Sequence, residues 1–174
     1  PCPGERRGIE TVGAAVKRRW AGAPARIISG GQTGVDRAAL DVALALDIRC
    51  GGWCPRGRRA EDGVIPARYP LRETSSADYA PRTAQNVQDA DATLILVCGS
   101  PSGGTALTIE IARRAERPCL IVDLEQPPPA SEVRRWLKRH ASGPLNVAGP
   151  RESGCPGIYD KAAAFLRALL EGGS

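Results

Sequence analysis

Short runs of consecutive apolar residues alternate along the chain with longer stretches in which apolar positions recur every three to four residues. The continuous runs fall at residues 26–29, 48–53, 92–98, 119–124 and 145–148. The periodic stretches fall at 33–46, 77–90, 105–115, 131–140 and 156–170, and in the last of these Ile158, Ala162, Phe165, Leu166 and Leu169 form one stripe. A strand that is apolar on both sides belongs in a sheet covered on both faces. Such sheets are parallel, because the helical crossovers supply the cover. The pattern therefore predicts an α/β fold, a Rossmann-like three-layer sandwich with a mostly parallel five-stranded sheet. Right-handed crossovers leave few topologies, and the expected strand order is 2-1-3-4-5, with the switch point between the strands ending near Ser29 and Cys98. Residues 25–174 read as a single domain. Residues 1–24 read as an N-terminal extension in which Ile9, Val12, Val16 and Trp20 have helical spacing among basic residues, predicting an amphipathic helix packed on the domain.

Ligands of open α/β sheets bind at the carboxyl ends of the strands, where the strand order reverses, so the loops at those ends are the places to look for chemistry. The first such loop is Gly30-Gly31-Gln32-Thr33-Gly34. Ser29, Gly31 and Gly34 stand at the three glycine positions of a dinucleotide fingerprint, so the first glycine is replaced. The second strand ends Cys50-Gly51-Gly52-Trp53-Cys54 without the acidic residue that would hold a ribose diol, and no Gly-Lys-Ser/Thr follows the loop. Ordinary NAD binding and a Walker loop are thereby disfavoured. What remains is a tight turn into a helix N-terminus, which either holds an anion or only turns the chain; Thr33 is a candidate cap and donor. The second loop, Gly99 to Thr105, repeats the device, with Ser102 and Thr105 as donors beside Gly99, Gly103 and Gly104. A third stretch, Asn146 to Ser153, brings Asn146, Arg151 and Ser153 to the same rim. Two glycine loops side by side at a switch point indicate a ligand carrying phosphate or a similar oxyanion.

The segment 55–76 has neither period and carries Arg56, Arg58, Arg59, Glu61, Asp62 and Arg68. Unstructured segments of that length usually act as lids or binding loops, and an arginine there, Arg56 among them, is placed to clamp an anion. Arg82 and Asn86 share a helix face that reaches either the site or a subunit interface. His140 ends a basic helix and reads as a cap or surface residue. The net charge of +5, from 24 basic and 19 acidic residues, suits an anionic ligand as well as a genome-wide arginine bias. The six cysteines form no CxxC pair and His140 is the only histidine. Buried thiols are therefore expected rather than disulfides, and no structural metal. No segment reads as a bilayer span or a signal peptide. No basic platform interleaved with aromatics suggests nucleic acid. A cytoplasmic protein without membrane or nucleic-acid partners is expected. The carboxylates Asp36, Glu61, Asp62, Glu110, Asp123 and Glu152 offer no evident acid–base pair, so the equipment is better suited to holding a ligand than to transforming it.

The stretches IISGGQTGVDRAALDVAL, GGWCPRGRRAEDG, IPARYPL, SGGTALT and LNVAGPRES, in that order, resemble the molybdenum carrier family, related to molybdenum cofactor carrier proteins. The resemblance covers roughly residues 26–170. It implies a Rossmann-like domain, a homo-oligomer (dimer or tetramer), and molybdenum cofactor, a phosphorylated pterin, as cargo. It would place Gly31, Thr33, Gly34, Ser102, Gly103, Gly104 and Thr105 around that ligand. The wider superfamily includes lysine-decarboxylase-like proteins that act as nucleoside-monophosphate phosphoribohydrolases, with a motif similar to PGGxGTxxE. Here the glutamate position holds Thr108, and Glu110 comes two residues later, about 200° round the helix. Arg82 looks like the arginine those enzymes carry on the preceding helix. Nucleotide binding, with or without hydrolysis, is the alternative.

Overall fold

The computed structural model describes residues 19–172. Six strands form one parallel sheet: β1 (Arg26–Ile28), β2 (Arg49–Cys54), β5 (Leu71–Glu73), β6 (Ala92–Val97), β7 (Cys119–Asp123) and β8 (Pro144–Ala148). Two short strands, β3 (Arg59–Ala60) and β4 (Gly63–Val64), make a separate antiparallel hairpin. The helices are α1 (Val35–Ala45), α2 (Tyr79–Gln88), α3 (Gly103–Arg114), α4 (Ala130–His140) and α5 (Ile158–Leu170), each within two residues of the periodic stretch that predicts it. Helices α1, α4 and α5 pack together on one face of the sheet, and α2 and α3 pack together on the other. The three-layer α/β sandwich is as expected.

The strand order is β5-β2-β1-β8-β6-β7. In terms of the five apolar runs this is 2-1-5-3-4 rather than 2-1-3-4-5, with β5 added beyond the second run. The last run is therefore central. Ile27 of β1 pairs with Leu145 of β8, and Leu94 of β6 pairs with Val147 on the other side. Both Leu145 and Val147 are wholly buried, and burying a side chain of this size contributes about 1.5–3 kcal/mol. An edge position would give up part of that burial and leave one side of the strand unpaired. The edge falls instead to β7, where Ile121 and Asp123 are exposed. The other edge strand, β5, has a single apolar residue, Leu71, followed by exposed Arg72 and Glu73, so it carries no hydrophobic signal.

The chain thus ends in the sheet beside where it began. Trp20 N–H donates to the Leu170 carbonyl (2.7 Å), and Arg19 and Glu171 form an antiparallel bridge, so the end of α5 lies against the approach to β1. Counted from β8, the sheet has the ordinary doubly wound order, and the reversal falls between β8 and β6 rather than between β1 and β6. Residues 1–18 of the expected N-terminal helical extension lie outside the described residues; Arg19 to Pro24 are described and are not helical, and Trp20 is the one member of the expected stripe among them. That ring packs on the core beneath the Arg134 guanidinium (5.3 Å) and the Lys138 ammonium (5.5 Å).

Segment 55–76 is anchored rather than loose. Ile65 and Tyr69 are fully buried against Leu40 and Cys54. Tyr69 and Tyr159 hydroxyls both donate to the Asp41 carboxylate (2.9 and 2.8 Å), tying the segment to α1 and α5. Arg58, a possible anion clamp on sequence grounds, instead donates to the carbonyls of Ile65, Pro66, Tyr69 and Leu71 at 2.9–3.2 Å. Its guanidinium organises the segment from within. No helix among the described residues is long and apolar enough to cross a membrane.

Candidate functional site

A cavity of about 480 Å³ opens at the reversal between β8 and β6. The stretch leaving β6 supplies Cys98, Ser100 and Ser102, and α3 continues the wall with Gly103, Gly104, Thr105, Leu107 and Thr108. The stretch leaving β8 supplies Gly149, Pro150, Arg151, Gly154 and Cys155; α1 with its preceding loop contributes Gln32 and Asp36; and α2 contributes Tyr79, Arg82 and Thr83. The size is that of a pocket for a small organic ligand.

The α3 wall is built for close approach. Gly103 has φ +51 and Gly99 φ +77, conformations that favour glycine. A Cβ added at Gly99, Gly103 or Gly104 would meet nothing within 4 Å. These glycines leave space open rather than filling it. No side chain caps the start of α3, so its first N–H groups and the positive end of its dipole face the cavity. Thr108 spends its hydroxyl on the Gly104 carbonyl (2.8 Å), and Glu110 turns outward to pair with Arg114. Neither residue therefore presents a carboxylate to the cavity from this wall.

The opposite wall centres on a buried ion pair. Arg82 Nη1 donates to Asp36 Oδ2 (3.1 Å), with the two side chains 13% and 4% exposed. Burial raises the pKa of Asp36 above its ordinary value, opposed by the Arg82 charge and the Gln32 N–H. Arg82 Nε is buried and has no hydrogen-bond partner. Asp36 also accepts from the Gln32 N–H (3.3 Å). It thereby orders the first loop, with Arg82 as its cation; the neighbouring Arg37 pairs instead with Asp62 and donates from Nε to the Gly31 carbonyl (3.2 Å). The helix face shared by Arg82 and Asn86 is divided: Asn86 bonds both the N–H (2.7 Å) and the carbonyl (3.0 Å) of Trp53, acting as an extra rung on β2.

The first glycine loop is a different kind of place. A Cβ on Gly30 would strike the Arg82 guanidinium, one on Gly31 would press on Leu71 and Ile65, and one on Gly34 would run into the Pro150 carbonyl. The side chain of Glu61 lies over this loop. Its Oε1 accepts from Thr33 Oγ1 and from the Ser153 N–H (3.1 Å), its Oε2 accepts from Ser153 Oγ, and Arg151 Nε lies 3.7 Å away. Burial pushes the Glu61 carboxyl up, but the bonds from Ser153 and Thr33 outweigh it and the net shift is downward. Thr33 and Ser153 thus converge on an oxyanion, and that oxyanion belongs to the protein itself.

Of the residues picked out from sequence, Gln32, Arg82, Ser102, Gly103, Gly104, Thr105 and Arg151 line the cavity. Gly30, Gly31 and Gly34 are packed under it; Thr33 and Ser153 hold Glu61; and Gly99 donates its N–H to Asp123 at the rim (3.3 Å). Asn146 is buried in mid-strand beside Thr93, and Arg56 is exposed beyond the cavity. Asp36, Tyr79, Cys98 and Cys155 are wall residues that the motifs did not single out. Among the described residues, no group of three or more His, Cys, Asp or Glu side chains is placed to hold a metal ion.

The central position of β8 is what a permuted chain requires, and residues 27–170 match the model of the circularly permutated YpsA SLOG family. The chain belongs to that family. A solved structure from Syntrophus aciditrophicus SB, a "Putative molybdenum carrier protein" at 1.45 Å resolution, is 44% identical with a TM-score of 0.81. The match covers 84% of this chain and 96% of that one. None of the curated proteins matches. The SLOG fold and a molybdenum carrier-like membership therefore hold for almost the whole described chain.

Proposed function

We propose that this protein binds and carries a phosphorylated small molecule, molybdenum cofactor or a related pterin, in the cavity between β8 and β6. The observation that carries this reading is the pairing of an uncapped, glycine-lined α3 start with Arg82 and Arg151 around one open cavity. The phosphate sits at the α3 N-terminus, where N–H groups and the helix dipole favour an anion. Arg82, already neutralised by Asp36, supplies donors more than net charge. Leu107 and Tyr79 offer apolar surface to the ring system. The similarity to a protein described as a molybdenum carrier is consistent with such cargo. The chain's own residues would bind, orient and shield the cargo. A cytoplasmic location and a homo-oligomer, a dimer or tetramer, complete the proposal. Ile121 (46%) on the edge strand β7, Leu44 (45%) and Val64 (72%) are exposed apolar side chains that assembly would cover.

The test is anaerobic purification from a host that makes the cofactor, with metal analysis and fluorescence of the oxidised pterin. Near-stoichiometric molybdenum and pterin are expected, and both fall on Gly104→Trp, which fills the cavity. Absence of both from the unaltered protein would sink the proposal. Analytical ultracentrifugation reads the assembly state.

A second reading rests on Asp36, a buried carboxylate lining the cavity beside an arginine. On that reading the ligand is a nucleoside monophosphate and Asp36 assists cleavage of its glycosidic bond. Incubation with AMP and chromatography for free adenine decides it: release that survives Glu110→Ala and is lost in Asp36→Asn would support it.

A further inference from the structure

Two thiols meet on the cavity wall. Cys98 is the first residue after β6, and Cys155 follows the short 3-10 helix Glu152–Gly154 that leads into α5. Both are free, partly buried, and line the cavity. Cys155 and Glu125 are the neighbours that act on the Cys98 thiol, and Glu125 Oε1 is held by Lys161 Nζ at 2.5 Å. The row runs thiol, thiol, carboxylate, ammonium.

The other cysteines among the described residues are not paired in this way. Cys50 and Cys54 lie on one strand, four residues and about 13 Å apart. Cys119 begins β7 opposite Thr93, at the far end of β6 from Cys98. Disulfide geometry demands Cα atoms within about 7 Å, which these separations do not meet.

From this placement we infer that Cys98 and Cys155 are a reversible dithiol–disulfide site, oxidised by exchange with a low-molecular-weight disulfide. The two residues sit on the stretches leaving β6 and β8, which form the two sides of the crevice, so the bond would cross-link the cavity's own walls. The inference does not depend on which ligand the cavity holds.

The neighbours set the order of events. Burial, and the contacts with Cys155 and Glu125, push the Cys98 thiol up to about 12, so it stays protonated at neutral pH. The thiolate is the attacking species. With Cys98 held as the thiol, the first attack falls to Cys155, which displaces one thiolate from the small disulfide, passes its proton to that leaving thiolate and forms a mixed disulfide. Cys98 then attacks the Cys155 sulfur and expels the second small thiolate, which takes up the Cys98 proton as it leaves. The net reaction converts two protein thiols and one small disulfide into one protein disulfide and two small thiols. Lys161 keeps Glu125 beside Cys98 throughout.

The test uses the full chain and oxidised glutathione, followed by alkylation and peptide mass mapping without reductant. The expected product is a Cys98–Cys155 cross-linked peptide, reversed by dithiothreitol, with slower amide exchange in residues 99–104 and 149–156. Cys98→Ser should trap glutathione on Cys155. Cys155→Ser should react at Cys98 roughly tenfold more slowly, because that thiol is seldom ionised. Independent glutathione adducts on both cysteines of the unaltered chain, or a cross-link to a different cysteine, would overturn the inference. The unaltered chain's map decides the matter even if a serine variant fails to fold.

Discussion

The two glycine-rich loops, 30–34 and 99–104, look alike in sequence and serve opposite ends. Both leave a strand, both enter a helix, and both have glycines with positive φ. In the first loop every missing Cβ is replaced by something else: Arg82 over Gly30, Leu71 and Ile65 against Gly31, the Pro150 backbone against Gly34. In the second, the space beside Gly99, Gly103 and Gly104 is open, and beside Gly103 and Gly104 it forms part of the cavity. Glycine in the first loop admits protein. Glycine in the second admits a ligand. A glycine signature therefore does not reveal what comes close to it, because the approaching group is supplied by distant sequence.

The sharpest break of this comparison is Gly34→Ala. Its φ of +73 with ψ −129 is nearly closed to other residues, and the new methyl would meet the Pro150 carbonyl and, at 2.9 Å, Glu152 N. Strain and overpacking together should cost about 4 kcal/mol, measured by urea denaturation. A loss below about 1 kcal/mol would show that the first loop yields and that the contrast is overdrawn.

Next in size is Arg82→Ala, which strands Asp36 in the interior and should cost about 3 kcal/mol near neutral pH. The sign with pH follows from the raised Asp36 carboxyl. A carboxyl raised on folding adds stability below its ordinary value of 3.8 and loses it as pH rises. The cost of Arg82→Ala should therefore shrink as pH falls toward 4, and Asp36→Asn in the same chain should restore most of the loss. Denaturation curves at several pH values check both points.

Smaller again is Glu61→Gln, which weakens the protein's own anion on the first loop. The Glu61 carboxyl is lowered below its ordinary 4.5, so its stabilisation is present above that value and fades as pH falls through the folded value. Amide exchange in residues 55–76 should be several-fold faster in the variant at neutral pH, and the difference should vanish in acid. Equal exchange at neutral pH would mean that Ile65 and Tyr69 alone hold the segment.

The smallest stability effect belongs to Gly104→Ala. The residue is helical and its added methyl meets nothing, so folding should be unchanged or improved by up to about 1 kcal/mol. Binding of the proposed phosphorylated ligand should nevertheless weaken, because the methyl enters the cavity. A variant that is stable yet binds less well is the signature of a loop kept open for a ligand. Stability lost alongside binding would place it with the first loop.

Much of the architecture was legible locally. Helix α5 is announced by a stripe that closes within its own turns, and β6 by six consecutive residues that are all buried. Strand β5 was not legible, since an edge strand of three residues with one apolar side chain leaves no pattern. The site was half legible. Gly103, Gly104, Thr105 and Arg151 were recognisable as loop chemistry. Cys98 and Cys155 become a pair only because β6 and β8 are neighbours.

What the sequence determines by itself is what periodicity and composition can encode: which segments are helix or strand, that the sheet is parallel and covered, and that small residues crowd its carboxyl end. Each of these depends on residues a few positions apart. What the tertiary structure decided is pairing at a distance: β8 between β1 and β6, Arg82 over Gly30, and the Glu61 carboxylate on Ser153, a separation of 92 residues. The physical reason is that burial is non-directional. An apolar strand needs neighbours without specifying which, and a glycine makes room without specifying for what. The choice is made when all the segments compete for the same interior.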